Sequence, residues 1–162
     1  LKRSEYNSSV QQYSSQLYGY ALKFLRNKED ARDIVQDVFE KLWINRKKVE
    51  FLKAKSWMFR SAHNAMINMI NKNQRMQFPG NESLPDTARK EVSFFESGQL
   101  VDRAVSILPP VQRSIILLRD LEGYTYEEIG EILTLSPSQV KVYLFRARNK
   151  IKKQLKGLKE LV

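Results

Sequence analysis

"TYEEIGEILTLSPSQVKVYLFRARNKIKK", residues 125–153, decides the fold. Thr125-x-x-Glu128 and Ser136-x-x-Gln139 both match the capping box. In that motif a hydroxyl and a Glu or Gln three residues later satisfy the orphan N–H groups of a helix start. Pro137 falls at the first helical position, where its missing N–H costs nothing. The spacing predicts a helix of about eight residues and a second of nearly twenty, separated by the short turn Thr134–Ser136. Ile129, Leu133, Leu135, Val140 and Leu144 then form a shared core. Gly130 sits where the two helices cross and their backbones must approach closely. A short helix, a tight turn and a longer basic helix make a helix-turn-helix.

The longer helix carries apolar residues on two faces. Val140, Leu144 and Ala147 form the buried stripe, so Val142 and Phe145 point outward beside Arg146. That pattern makes sense if the outer face is normally covered. Gln139, Lys141, Val142, Tyr143, Phe145 and Arg146 are the candidate contacts to a major groove. Lys and Arg pair with phosphates or guanine edges, Gln with adenine, and apolar groups with thymine methyls.

Charge supports a polyanionic partner. The 162-residue chain has a net charge of +10, which favours nucleic acid or an anionic surface. Residues 44–75 carry eight Lys and Arg against Glu50 alone, and residues 136–162 carry eight against Glu160 alone. Residues 76–98 between them carry two basic and four acidic side chains. Two separated basic segments predict two contacts with one polyanion. Cysteine is absent and His63 is the one histidine, which excludes disulfides, Cys-ligated zinc and any His-cluster metal site. No apolar run approaches the roughly 20 residues of a membrane helix. The N-terminal stretch lacks the apolar core of a signal peptide. Neither a cofactor nor a small-molecule substrate is expected, and a cytoplasmic location fits.

Helical periodicity runs through most of the remaining chain, and strand signals are nearly absent. Tyr6, Val10, Tyr13, Leu17, Tyr20, Ala21 and Phe24 predict a first helix ending near residue 26. Ala31, Ile34, Val35, Val38, Phe39 and Leu42 predict a second. A third is expected over 56–74, with Ser56 as its N-cap and Phe59, Ala62, Ala65, Met66, Met69 and Ile70 facing inward. Two prolines and two glycines in 76–98 mark a flexible linker, with Phe94 and Phe95 as anchors within it. Beyond it, Leu100, Val101, Ala104, Val105 and Leu108 predict a short helix. Val111, Ile115, Leu118 and Leu121 predict another, stopped by Gly123.

Two faces of the first half have chemistry to offer. Asp33, Gln36, Asp37 and Glu40 line one side of the second helix, out of step with a strongly basic chain. They suit a basic protein surface; a solvated face with an Asp37–Lys41 pair is the plainer alternative. On the third helix Trp57, Arg60, Asn64, Asn68, Asn71 and Arg75 step by threes and fours along the outward side. Asn is a middling helix former because its amide competes for the backbone. Three on one face therefore call for a functional reason. Amides bond the edges of unstacked bases, aromatics stack on base faces and cations hold phosphates. Such a row suits single-stranded, flipped-out DNA. Trp57 reads equally well as a core anchor, and His63 as a surface or boundary residue.

Residues 108–153 resemble region 4 of bacterial RNA polymerase sigma factors of the extracytoplasmic-function class. The likeness rests on Leu108-Pro109, Arg113, Leu121-Glu122-Gly123, Tyr126-Glu127-Glu128-Ile129 and Phe145-Arg146-Ala147-Arg148. The sequence departs from the common pattern at Gly130, Gln139, Val142 and Tyr143. "NKEDARDIVQDVFEKLW" (27–43) resembles the polymerase-binding helix of region 2, and 51–75 its reader of the melted minus-ten element.

The resemblance implies an all-α chain of two small helical domains: region 2 over 1–75, a flexible linker over 76–98, and region 4 over 99–162. It implies core RNA polymerase, docked through Asp33, Gln36, Asp37 and Glu40, as a partner. It implies promoter DNA as a second partner. The duplex minus-thirty-five element would be read by Gln139, Lys141, Val142, Tyr143, Phe145 and Arg146. The melted minus-ten strand would be held by Trp57, Arg60, Asn64, Asn68 and Arg75. An anti-sigma factor is a further expected partner, and no enzymatic activity is expected. The competing expectation is a stand-alone helix-turn-helix regulator whose N-terminal helices sense a ligand or dimerise.

Overall fold

The structure, a computed structural model, describes residues 1–77 and 97–161. Nearly all of the expected linker, including Phe94 and Phe95, lies outside the described residues. Among the described residues the fold is all-α, without strands, and no helix is long and apolar enough to cross a membrane.

The first half contains α1 (Arg3–Leu25), α2 (Lys28–Ile44) and α3 (Ala54–Gln77). Asn27 caps α2, its Oδ1 accepting the Asp30 N–H at 2.9 Å. Glu29 and Asp30 in the first turn and Lys41 in the last complement the helix dipole. Leu17, Tyr20, Ala21 and Phe24 of α1 meet Ala31, Ile34, Val38 and Leu42 of α2 and Met58, Phe59, Ala62 and Met66 of α3 in one core. Full burial of a side chain such as Phe59 contributes about 1.5–3 kcal/mol.

The second half contains α4 (Ser97–Ser106), α5 (Pro110–Ile116), α6 (Tyr126–Leu133) and α7 (Pro137–Leu161). Pro110 stands in the first turn of α5 as the sequence predicts. The α5 helix then widens into a π-helical turn over Leu117–Leu121, closed by the Glu122 N–H to the Leu117 carbonyl at 3.2 Å. Gly123 follows with φ of 72°, the left-handed conformation that favours glycine.

Three local expectations are corrected. Ser56 is not an N-cap, because a 3₁₀ turn at Phe51–Lys53 starts the helix two residues earlier. Its hydroxyl instead donates to the Lys53 carbonyl at 3.2 Å. Ile115 and Leu118 are buried as the stripe predicts, but the wider π turn shifts the register after them and leaves Leu121 47% exposed, while Val111, in the first turn of α5, is 37% exposed. His63 is no surface residue but only 6% exposed, because the second half covers it. The buried apolar residues of both halves form a single cluster, in which Val105, Leu108, Ile115 and Leu118 continue the core of α1–α3.

Candidate nucleic-acid and partner interfaces

Both capping boxes of the helix-turn-helix form. The Thr125 Oγ1 accepts the Glu128 N–H, and the Glu128 carboxylate accepts the Thr125 N–H, each at 3.1 Å. At the start of α7 the Ser136 N–H donates to the Gln139 side-chain oxygen at 2.9 Å, and the Gln139 N–H donates to the Ser136 hydroxyl at 3.2 Å. Gln139 keeps its amide NH₂ and one lone pair of its side-chain oxygen for a ligand. Gly130 accepts the Leu135 N–H at 2.9 Å. Any side chain at Gly130 would meet the Leu135 carbonyl oxygen, so the turn would have to give way. Thr134 ends α6 in the left-handed conformation, with φ of 60°.

These contacts fix the face that α7 presents. Val140, Leu144 and Ala147 are buried, while Gln139, Lys141, Val142, Phe145 and Arg146 are exposed. Phe145 is 67% exposed, a large apolar area for a helix otherwise rich in cations. Tyr143 is half-buried against the core, with the Arg146 guanidinium 5.8 Å from its ring. The six predicted residues share one outer side and its flank.

On α3, Asn64, Asn68, Asn71 and Arg75 are exposed, as the stepping predicts. Trp57 is half-buried and packs against the core. Arg60 is engaged by the other half of the chain. It donates to the main-chain carbonyls of Glu131 and Ile132, the latter at 3.3 Å, at the end of α6.

On α2, Asp33, Gln36 and Glu40 are exposed and Asp37 is half-buried, paired with Lys41 at 3.0 Å. The α2 stripe divides in two. Ala31, Ile34, Val38 and Leu42 enter the core, whereas Val35 and Phe39 line a groove of about 570 Å³ with Tyr6, Trp43, Gln36 and Glu40. Asp33 and Asp37 border a second groove of about 560 Å³, shared with Asn68 and Lys72 of α3. The acidic ridge thus stands between two clefts.

The chain's residues 9–76 match the family described as sigma-70 region 2, and residues 98–151 match sigma-70, region 4. The chain belongs to the sigma-70 family, in its extracytoplasmic-function class. It is 26% identical to the ECF RNA polymerase sigma factor SigM of Bacillus subtilis, over 88% of this chain and 90% of that one. It is 27% identical to SigW of the same organism, over 90% and 86%. Its fold is shared with the sigma factor RpoE of Bartonella quintana, solved in complex with the anti-sigma factor NepR. The TM-score is 0.72 at 21% identity, covering 93% of this chain and 96% of that one.

Within this sigma factor, region 2 and region 4 meet around a buried hydroxyl. Ser114 of α5 is fully buried, with its Oγ 2.6 Å from the Tyr20 hydroxyl and 2.6 Å from His63 Nδ1. Burial pushes the His63 imidazole down to about 4 and raises the Tyr20 phenol. Arg113, part of the region 4 motif, donates to the Phe24 carbonyl at 3.2 Å and lies 4.6 Å over the Phe24 ring. The motif signalled Arg113; nothing in the local sequence signalled Tyr20, His63 and Ser114 as a group.

Proposed function

We propose that this chain binds core RNA polymerase and directs promoter-specific initiation, with no catalytic step of its own. The reading rests on one pairing: a helix-turn-helix with an uncovered apolar and basic outer face beside a second helix whose outward row is rich in amides. Neither face alone distinguishes promoter opening from ordinary duplex binding.

In this reading the N-terminal part of α7 enters the major groove of the minus-thirty-five element. Lys141 and Arg146 contact phosphate or base edges, Val142 and Phe145 contact thymine methyls, and Gln139 and Tyr143 flank them. Asn64, Asn68, Arg75, Arg60 and Trp57 hold the melted minus-ten strand, Asn64 nearest the flipped base. Binding energy for the bare strand offsets the cost of unpairing. The α2 ridge of Asp33, Gln36, Asp37 and Glu40 docks on basic residues of the polymerase. The domain limits are those expected above: 1–75, 76–98 and 99–162. The chain works in the cytoplasm under an anti-sigma factor, a partner supported by the Bartonella quintana complex.

The test mixes the purified chain with sigma-free core polymerase. A stable complex and promoter-dependent run-off transcripts are expected. Absence of any complex would return the chain to the class of plain duplex-binding regulators.

A further inference from the structure

The two capping boxes of the helix-turn-helix are not built alike. At the start of α6 the box is closed by Glu128, whose carboxylate can only accept. At the start of α7 it is closed by Gln139, whose side-chain oxygen accepts the Ser136 N–H at 2.9 Å. A carboxylate would close that box as well, and would also suit the positive end of the helix. Capping alone therefore does not account for an amide here. The amide brings no negative charge to a helix whose one acid is Glu160. It also retains two N–H donors and one lone pair, on a side chain that is exposed.

What Gln139 retains has one match among base edges. Adenine shows the major groove an N7 acceptor beside an N6 amino donor, whereas guanine shows two acceptors, cytosine a donor and thymine an acceptor with a methyl. Accepting from Ser136 holds the amide in place before DNA arrives, so less side-chain freedom is lost on binding. Helical register puts Val142, 47% exposed, on the same row one turn on. The two side chains are neighbours at about 5–6 Å, comparable with the step of roughly 3.4 Å between base pairs. We infer that Gln139 is a specificity-determining residue: it reads an adenine of the upstream element, with Val142 on a thymine methyl of the adjacent base pair. Both are positions where the sequence departs from the common region 4 pattern, so this preference belongs to this chain. The inference rests on the sigma-factor reading and names part of the duplex that region 4 selects.

Affinity and selectivity then fall to different side chains. Lys141 and Arg146, both exposed, supply an attraction to the duplex that depends on salt far more than on sequence. Arg148, by contrast, is turned to Asp120 at 2.9 Å. Substituting Gln139 should accordingly change which duplex is chosen and leave the salt dependence of binding as it was.

The test assembles the full chain with core polymerase, lets it select from promoter duplexes randomised over the upstream and minus-ten windows, and sequences the survivors. Gln139→Glu keeps the capping box, so its thermal midpoint should not fall, yet it removes both donors. At one upstream position the adenine that the wild type enriches should give way to cytosine, whose N4 amino group donates to a carboxylate. The remaining positions should keep their preferences. On the selected duplex, 7-deazaadenine at that position lacks the N7 acceptor. It should weaken wild-type binding about fivefold and leave Gln139→Ala unaffected. Uracil in place of the neighbouring thymine deletes one methyl, and should cost the wild type about threefold and Val142→Ala nothing. Three results would each overturn the inference: an adenine preference that survives in Gln139→Glu, a 7-deazaadenine penalty equal in wild type and Gln139→Ala, or a uracil penalty that Val142→Ala shares. Failure of the sigma-factor reading would show separately, as no core-polymerase complex in any variant.

Discussion

His63 Nδ1 and Ser114 Oγ stand 2.6 Å apart although 51 positions separate them in the chain. The same oxygen serves Tyr20, at a separation of 94. One buried hydroxyl therefore answers two polar groups that no water reaches, and it joins α1 and α3 to α5. Leaving a buried polar group without its partner costs about 1–3 kcal/mol.

Ser114→Ala strands both groups, and urea denaturation should show a loss of about 2 kcal/mol. Tyr20→Phe removes one of the stranded groups. The double variant should therefore lose less than the sum of the singles, with a coupling of about 1 kcal/mol. Strict additivity would mean that the three groups do not act as a unit.

Stability should fall on mild acidification because of His63. The folded imidazole, pushed from 6.5 to about 4 by burial, stays neutral where the unfolded one takes up a proton. The stabilisation is complete above pH 6.5, declines as pH drops towards 4 and is lost below it. The full span corresponds to about 3 kcal/mol. Glu128 and Glu131, with carboxyls held below the usual range by Lys55 and Lys53, lose their contributions at lower pH. The difference between wild type and His63→Gln isolates the histidine. An unchanged slope between pH 6.5 and 5 in that variant would refute the assignment.

Thr134 ends α6 at φ of 60°, a conformation that crowds a β-branched side chain. Thr134→Gly should raise the denaturation midpoint, by the equivalent of about 0.5–1 kcal/mol. A lower midpoint would show that the threonine side chain contributes more than its backbone strain costs.

Asn64→Ala and Asn68→Ala should leave stability within about 0.5 kcal/mol, since both side chains are exposed. Permanganate footprinting should show reduced promoter opening, while recruitment to intact duplex stays near wild type. Equal loss of both would count against a role in holding the bare strand.

Asp33→Lys combined with Asp37→Lys should weaken the complex with core polymerase at least tenfold in a gel-shift assay. The Lys41 pair that Asp37 makes is largely solvated, so its loss costs tenths of a kcal/mol. Full-strength binding by the double variant would remove the acidic ridge from the docking surface.

The local sequence determined the helices and the helix-turn-helix. Thr125 with Glu128, Ser136 with Gln139, and Gly130 beneath Leu135 all act within a few residues of one another. Their geometry is therefore written in spacing alone. The exposed rows of α3 and α7 were legible for the same reason, because periodicity fixes which side faces inward. Tertiary structure decided what the inward and half-inward polar groups meet. His63 read as a boundary residue because nothing near it in sequence could cover or bond it; α5 does both. Arg60 belonged to the outward row, yet its partners are main-chain carbonyls at the end of α6. The π turn of 117–121 moved Leu121 out of a stripe that regular periodicity would have buried. Short-range hydrogen bonds and side-chain spacing are properties of the chain itself, whereas a long-range polar partner exists only once the two halves have packed.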